Sequence, residues 1–302
     1  MDLSVILVNW NTRDLLCNCL QSVRAGIAGL EIEIIVVDNG STDGSPEVLA
    51  RDFPEVAVIA NAENRGFAAA NNQALAVARG RHLLLLNTDT LVLGAVLRRA
   101  VDWLDAHPTS GVLGPRVLNA DGTVQDSVKG WPGFHYLLRQ TLGLHWDRPA
   151  NLGLQDAAVV PAVSGCAMFV RREAVADVGL LDEAFFFYGE ETDWCRRFEH
   201  CGWSVHFAPV GEIIHFGGGA ARRLDHRRDV LLTEGTVRLH RKHGGLAAGL
   251  AAYGVLAVFN VSRALLWTGL SLAHRPGAGA RARHFARVVA DYGRAWPREK
   301  RA

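Results

Sequence analysis

Leu83-Leu84-Leu85-Leu86-Asn87-Thr88-Asp89-Thr90 joins an apolar run to a short polar motif. An apolar run of this length predicts a buried strand, and ligands of open α/β sheets gather beyond the carboxyl ends of the strands. Mg²⁺ and Mn²⁺ prefer oxygen ligands and usually share their coordination shell with substrate phosphates. Asp89 is therefore a candidate metal ligand, although an ordinary strand-to-turn cap has the same composition.

Strands and helices alternate on both sides of this motif. Apolar runs predict buried strands over 3–8, 32–37, 56–60 and 82–86, and helical spacing predicts helices over 13–24 and 67–79. This alternation predicts βαβ units and a mostly parallel central sheet with helices on both faces, a Rossmann-like α/β fold. The later part of the chain predicts strands over 163–170, 204–208 and 213–216 and a short helix over 193–200.

The composition is that of a globular protein. The 302 residues, 49% hydrophobic and 21% charged, allow one large domain, predicted over 1–222, and a helical appendage over 223–302. The net charge of +1 does not indicate a nucleic-acid partner. The five cysteines form no Cys-x-x-Cys pair and the first residues lack a signal-peptide pattern, so we expect a cytoplasmic protein with reduced thiols.

The appendage contains a long uncharged stretch. No residue between 244 and 262 is charged, Arg263 interrupts, and 264–273 is again uncharged. Three interpretations remain open: a membrane span, a helix or hairpin in the membrane interface, or a helix packed on the domain. The neighbouring arginines favour contact of 244–287 with anionic lipid, which predicts a location at the inner face of the plasma membrane.

Two polar segments follow predicted strands near the N-terminus. Asn9 and Trp10 follow the first strand and Asp38 follows the second. Side chains at adjacent strand ends can read a nucleobase edge, and Asp38 can accept a hydrogen bond from a pyrimidine N–H. Turn and N-cap residues have the same composition, so this alternative stays open. Arg65 precedes a helix and can contact a phosphate, or it is an ordinary exposed arginine.

An acidic segment follows four aromatic residues in Phe185-Phe186-Phe187-Tyr188-Gly189-Glu190-Glu191-Thr192-Asp193. Like charges crowded beside apolar rings should raise at least one carboxyl pKa, which suits a general base. Glu190 and Glu191 are the candidate catalytic residues, although acidic residues also favour a plain helix start. His215 ends a strand before Phe216-Gly217-Gly218-Gly219, where it is either a metal ligand or a structural histidine.

Together these segments resemble the family 2 glycosyltransferases with a GT-A fold, especially the bacterial rhamnosyltransferase-like branch. The resemblance covers about residues 2–219. The matching segments are Val8-Asn9-Trp10-Asn11, Val37-Asp38-Asn39-Gly40-Ser41-Thr42-Asp43-Gly44-Ser45, Asn64-Arg65-Gly66-Phe67-Ala68, Leu85-Leu86-Asn87-Thr88-Asp89-Thr90, Val163-Ser164-Gly165-Cys166-Ala167-Met168, Tyr188-Gly189-Glu190-Glu191-Thr192-Asp193, Cys195-Arg196-Arg197 and His215-Phe216-Gly217-Gly218.

The resemblance implies roles for individual residues. Asp38 would hold the nucleobase, Thr88 would face the ribose, and Asp89 with His215 would bind Mg²⁺ or Mn²⁺. Glu191 stands where the family usually has an aspartate base. Asn87 replaces the first aspartate of the metal motif, which leaves one carboxylate there.

The implied reaction is an inverting transfer of a sugar from a nucleotide-diphosphate donor to a hydroxyl of a saccharide or lipid-linked saccharide in cell-envelope polysaccharide synthesis. The branch suggests dTDP-rhamnose as donor. An inactive nucleotide-sugar-binding or scaffold protein is the alternative, motivated by Glu191 and the single aspartate. A nucleotidyltransferase is disfavoured, because it would normally carry a Gly-rich phosphate loop and 8–13 contains no glycine.

Overall fold

The computed structural model describes residues 1–142, 155–217 and 225–297, apart from the side chain of Gln140. These residues form two compact units. The first unit contains 1–131, 155–183 and 190–217, and the second contains 132–142, 184–189 and 225–297. The predicted boundary at residue 222 lies outside the described residues.

The first unit is built on a sheet of nine strands. Its strands follow the order β3-β2-β1-β4-β10-β6-β11-β5, and β8 pairs with β11. The strands are β1 (Leu3–Asn9), β2 (Ile32–Asp38), β3 (Ala57–Ala60), β4 (His82–Asn87), β5 (Thr90–Val92), β6 (Ser110–Leu118), β8 (Ala158–Val159), β10 (Ala167–Arg171) and β11 (Ser204–His215), while β7 (Val128–Lys129) and β9 (Ala162–Val163) form a separate pair. The pairings make β5, β8 and β10 run against the other strands, so the predicted mostly parallel sheet is confirmed.

Helices cover both faces of this sheet. They are α1 (Arg13–Ala25), α2 (Ser45–Asp52), α3 (Phe67–Val77), α4 (Val96–Ala106), α6 (Arg172–Val178) and α7 (Glu190–His200), with α5 (Phe134–Thr141) in the second unit. Successive strand residues point to opposite faces. Leu3, Val5 and Leu7 of β1 therefore pack with α1, α2 and α4, whereas Ile6 packs with α3, α6 and α7.

The elements predicted after residue 160 differ most in extent from those observed. The strand predicted over 163–170 is two strands, because Ser164-Gly165-Cys166 leaves the ladder between β9 and β10. The strands predicted over 204–208 and 213–216 are one strand, β11, which stays paired with β6 across an irregular register. Helix α7 begins at Glu190 rather than at 193, since acidic side chains in a first turn are favoured by the helix dipole.

The second unit is helical, as predicted for the C-terminal region. Helix α8 (His226–Leu272) breaks at Gly245, whose φ of 79° is readily adopted only by glycine. The chain reverses there, so that Val237 packs with Ala252 and Leu256. Helix α9 (Ala278–Ala290) then packs beside the second half of α8. By length and composition alone, α8 is apolar enough to cross a membrane.

Candidate active site

The carboxyl ends of three parallel strands bring the predicted polar residues to one edge of the sheet. In the strand register Asn9 lies opposite Asp38, and Val8 lies opposite Asn87. Asn9 and Asp38 are buried, and Trp10, which follows Asn9, is half-buried. The ends of β1 and β2, where the nucleotide site is predicted, are therefore close to the predicted metal motif at the end of β4.

Asp38 is held by protein donors on both carboxylate oxygens. The Asn9 amide donates to Asp38 Oδ1 at 2.8 Å and to Ser41 Oγ at 3.0 Å. The Ser41 backbone N–H donates to Asp38 Oδ2 at 3.0 Å. The carboxylate thus fixes the turn after β2, and each oxygen keeps a second lone pair that can accept from a ligand. Its role toward a nucleobase stays a prediction.

A chain of hydrogen bonds ties the metal motif to Asn9. Thr12 Oγ1 donates to Asn9 Oδ1 at 2.8 Å, and the hydroxyls of Thr12 and Thr88 lie 2.8 Å apart. A hydroxyl carries one proton, so Thr88 must be the donor to Thr12. Thr88 is buried, and this contact fixes the orientation of its hydroxyl. Asn87 is fixed through its backbone N–H, which donates to the Cys166 carbonyl at 2.9 Å.

Asp89 and His215, predicted as metal ligands from distant parts of the sequence, are brought together by β5 and β11. These strands pair antiparallel with Thr90 opposite His215. The Phe216 N–H donates to the Asp89 carbonyl at 3.0 Å. As a result His215 Nε2 lies 3.3 Å from Asp89 Oδ1, which is one oxygen and one nitrogen of the kind that bind divalent metals.

Gln125 fixes the tautomer of His215. Its amide nitrogen donates to Asn119 Oδ1 at 2.8 Å and to the His215 carbonyl at 3.2 Å, so the amide oxygen must face the ring. That oxygen lies 2.6 Å from His215 Nδ1, which is therefore the protonated nitrogen. Nε2, which faces Asp89, is then the ring nitrogen left to bind a metal.

The pair fits a metal that takes most of its ligands from elsewhere. Across the described ranges, no group of three or more His, Cys, Asp and Glu side chains converges. Two protein ligands agree with a divalent ion that completes its shell with diphosphate oxygens and water. A metal bound in this way would be held loosely before the donor arrives.

The two glutamates at the start of α7 have different environments. Burial and the adjacent charge of Glu191 raise the pKa of Glu190 well above its ordinary value, as expected for crowded carboxylates. Within the described structure, Glu190 Oε2 has no hydrogen-bond partner. Glu191 is buried as well and forms an ion pair with Lys129 Nζ. Although desolvation opposes it, the charges of Glu191 and Glu190 raise the pKa of Lys129.

The segment Ser164-Gly165-Cys166 connects the acidic pair to the metal motif. Cys166 accepts the Asn87 N–H, and a side chain added at Gly165 would lie 3.6 Å from Glu191 Cβ and 3.7 Å from the Phe67 ring. Burial raises the pKa of the Cys166 thiol to about 11, so this cysteine stays neutral. The metal motif and the acidic pair therefore lie in one region of the first unit.

Arg65 is placed in this region by its backbone. Its N–H donates to Asn39 Oδ1 at 3.1 Å, and its side chain is exposed. Asn39 also donates to Asn64 Oδ1 at 2.9 Å, which orders the loop before α3. The structure leaves the phosphate-binding role of Arg65 a prediction.

Two residues of the site were missed by sequence reasoning. Lys129 lies in a two-residue strand within a Gly- and Pro-containing stretch, and Gln125 lies outside any long strand or helix. Neither position has hydrophobic periodicity or a recognisable motif. The only available signal was that Lys129 precedes the acidic segment. A single lysine can pair with many carboxylates, so its position did not identify Glu191 as the partner.

Comparison with known proteins gives consistent matches. A family model described as glycosyl transferase family 2 matches residues 4–179. An N-acetylglucosaminyl-diphospho-decaprenol L-rhamnosyltransferase of Mycobacterium tuberculosis is 27% identical over 207 residues, which cover 61% of this chain and 66% of that protein. The low-salt glycan biosynthesis hexosyltransferase Agl10 of Haloferax volcanii is 26% identical over 219 residues, 71% of this chain and 67% of that protein.

Among solved structures, the mannosyltransferase PcManGT from Pyrobaculum calidifontis, in complex with GDP-Man and Mn²⁺, matches with a TM-score of 0.60 and 21% identity. The match covers 98% of this chain and 88% of that chain. GalNAc-T7 with UDP, GalNAc and Mn²⁺ matches with a TM-score of 0.56 and 20% identity over 71% of this chain and 43% of that chain. At this level of identity the likeness shows the fold, and it confirms the predicted fold class.

Proposed function

This chain belongs to glycosyl transferase family 2, and on that premise we propose that it transfers a sugar from a nucleotide-diphosphate donor to a hydroxyl of an envelope saccharide. The observation that carries the proposal is the Asp89–His215 pair. Its two metal-binding atoms lie 3.3 Å apart, and Gln125 fixes the required tautomer. Such a pair suits a diphosphate held through a divalent metal.

The donor we propose is dTDP-rhamnose. The support is the similarity to the mycobacterial L-rhamnosyltransferase, which extends over 61% of this chain. Asp38, Asn9 and Trp10 would surround the base, Thr88 would meet the ribose, and Arg65 with Asn87 would contact the remainder of the nucleotide sugar. These residues lie at the carboxyl edge of the sheet or in the loops that follow it, where ligands of such sheets bind.

Asp89 Oδ1 and His215 Nε2 would hold Mg²⁺ or Mn²⁺. When bound, the metal would neutralise the charge that develops on the departing diphosphate. The matching structures of PcManGT and GalNAc-T7 are complexes with Mn²⁺, which supports this cofactor. The side chains provide one carboxylate and one neutral imidazole, so the site alone attracts a cation weakly and the diphosphate adds the missing negative charge.

We propose that Glu191 is the general base, with Glu190 as its buried neighbour. The acceptor oxygen would form a bond to the anomeric carbon from the face opposite the diphosphate. The bond from that carbon to the diphosphate oxygen would break, and the diphosphate would leave with the electron pair. The acceptor proton would pass to the Glu191 carboxylate, which must first separate from Lys129. The anomeric configuration would be inverted.

The acceptor we propose is a saccharide or a lipid-linked saccharide, and residues 244–287 would contact the membrane surface at its cytoplasmic side. The mycobacterial relative is named for a diphospho-decaprenol-linked sugar, which supports the lipid-linked form. An acceptor anchored in lipid is most easily reached by an enzyme at the membrane surface.

A second candidate is a nucleotide-sugar-binding protein without activity. The ion pair between Glu191 and Lys129 favours it, because a carboxylate bound to a lysine is a weaker base. Asn87 in place of a carboxylate favours it too.

A donor panel separates the two candidates. Thermal shift would be measured with dTDP-rhamnose, UDP-galactose, UDP-glucose, UDP-N-acetylglucosamine and GDP-mannose, each with and without Mn²⁺. We expect metal-dependent stabilisation by dTDP-rhamnose and slow release of dTDP on incubation. Binding without turnover, tested with a lipid-linked acceptor, would favour the inactive protein. No shift with any donor would contradict both candidates.

A further inference from the structure

The second half of α8 exposes a continuous apolar face. Leu250, Val258, Leu265 and Leu272 are 52%, 60%, 70% and 78% exposed. Together with the exposed Leu246 and Val261, their spacing places them on one side of the helix. The stretch 246–272 is roughly 40 Å long at 1.5 Å per residue. A face of this length is not explained by the scattered apolar residues of ordinary surfaces.

The opposite face of the same stretch is the one that packs against protein. Gly249, Ala252, Leu256 and Asn260 are buried. A side chain added at Gly249 would lie 2.9 Å from Arg241 Cβ, in the first half of α8. The residues buried inside the unit are thus mostly small or polar, whereas the longer leucines face outward. This distribution reverses that of a helix in water.

The charged residues of this region are all positive. Between 244 and 290 the chain contains no aspartate or glutamate, and its charged residues are Arg263, Arg275, Arg281, Arg283 and Arg287. The Arg263 guanidinium lies 5.0 Å from the centre of the Phe259 ring, and that of Arg281 lies 4.4 Å from Trp267. By helical spacing Arg263 and Trp267 lie on the side of α8 that faces α9, opposite the apolar face, and Arg275 and Arg283 are exposed. An apolar face with positive charge on the other side is typical of a helix that lies at an anionic lipid surface.

Helix α9 argues against a membrane span. It runs antiparallel to the second half of α8, since Arg281 lies on Trp267 and Phe285 lies 6.5 Å from Phe259. If 246–272 crossed the bilayer, α9 would carry its arginines into the hydrocarbon beside it. His284, whose Nε2 lies 2.8 Å from Asp229 Oδ2, would be carried into the hydrocarbon as well. Charges at that depth are costly.

We propose that 246–272 lies in the plane of an anionic lipid surface, with its leucine and valine face in the acyl boundary and with the arginines on its solvent side attracting the anionic headgroups. The inference deepens the membrane contact included in the proposed function, and it does not depend on sugar transfer. Of the three interpretations left open by the sequence, a membrane span, an interfacial helix and a helix packed on the domain, the proposal selects the interfacial helix. The alternative is that a second copy of the chain covers the same apolar face in a dimer.

The test uses the full chain and vesicles of phosphatidylcholine, with and without 30% phosphatidylglycerol. We expect binding that falls at least tenfold without the anionic lipid. The double variant Val258→Glu/Leu265→Glu should lose at least tenfold in bound fraction, because both exposed positions would put a charge into the acyl boundary. Val77→Glu is the matched control, since Val77 is 57% exposed on a helix of the first unit, and it should bind as the parent does.

A second variant guards against misfolding. Arg275→Gln/Arg283→Gln removes two exposed charges and should reduce binding to anionic vesicles only. Alkaline carbonate should release the native protein from cell membranes. Retention in the carbonate pellet would overturn the in-plane arrangement, and so would a dimer that forms without vesicle binding and that Leu265→Glu dissociates. Donor-induced thermal shift, read without lipid, separates these outcomes from a failure of the proposed transfer.

Discussion

Lys129→Met should move the pH dependence of turnover. The lysine forms an ion pair with Glu191, and its charge also lowers the pKa of Glu190. Removing it leaves two buried carboxylates side by side with one less compensating charge. The pKa of the pair must then rise, because the charged forms lose a favourable neighbour. Since a general base has to be deprotonated, the acidic limb of the kcat/KM profile should shift to higher pH.

The size of the shift follows from the exposure of the lysine. Two unit charges about 4 Å apart interact by about 4 kcal/mol at an effective dielectric of about 20 and by about 1 kcal/mol in water. The Lys129 side chain is 41% exposed, so solvent screening places the interaction at about 1–2 kcal/mol. One pKa unit corresponds to about 1.4 kcal/mol. We therefore expect the acidic limb to rise by about one pH unit.

The assay is dTDP release with a saccharide acceptor, measured from pH 5 to 9 with Lys129→Arg as the charge-conserving control. One pH unit below the native limb, Lys129→Met should lose about tenfold in kcat/KM, while on the plateau it should equal or exceed the native rate. An unchanged limb in the methionine variant, or an equal shift in the arginine variant, would refute the electrostatic argument. Thermal unfolding at each pH separates a titration effect from loss of the fold.

Three further outcomes concern the proposed base and metal site. Glu191→Gln should lower turnover about 10²–10⁴-fold, the usual contribution of a general base, with donor affinity retained in calorimetry; turnover close to native would remove Glu191 from the mechanism. Asp89→Ala should abolish the part of donor binding that depends on Mn²⁺, and equal donor affinity with and without metal in the native protein would contradict the assignment. Gln125→Leu should weaken metal affinity about 10–100-fold, because the His215 ring loses the acceptor that fixes its tautomer. Gln125→Glu keeps an acceptor at the ring and should retain most of the native metal affinity. Identical affinities in the two variants would show that Gln125 does not orient the ring.

The sequence predicted best what adjacent parallel strands bring together. Asn9, Asp38 and Asn87 each end a buried strand, and parallel register places such ends at one edge of a sheet whatever the helices between them do. The pairing of Asp89 with His215 required more. It depends on an antiparallel contact between β5 and β11, which no local pattern specifies, and it was expected only through the family resemblance.

What the sequence did not predict depends on irregular structure. Lys129 reaches Glu191 from a two-residue strand that pairs with another two-residue strand. Strands this short carry no periodicity, so their partners are set by the surrounding fold. The reversal at Gly245 belongs to the same class, because the uncharged stretch 244–273 was interpreted by its hydropathy. A Gly-Gly pair at its start was the available signal for a break.

The hydrogen-bond chain from Thr88 through Thr12 to Asn9 has a fixed polarity. Each hydroxyl proton is already directed toward the next oxygen, so Thr88 can offer a ligand only its lone pairs. A group that meets this oxygen must bring its own proton, as a sugar hydroxyl does and an ionised phosphate does not. If Thr88 contacts the nucleotide sugar as proposed, it would select for a group that carries a proton, independently of charge or size. A nucleotide sugar shifted by one group along the site would place an oxygen without a proton there.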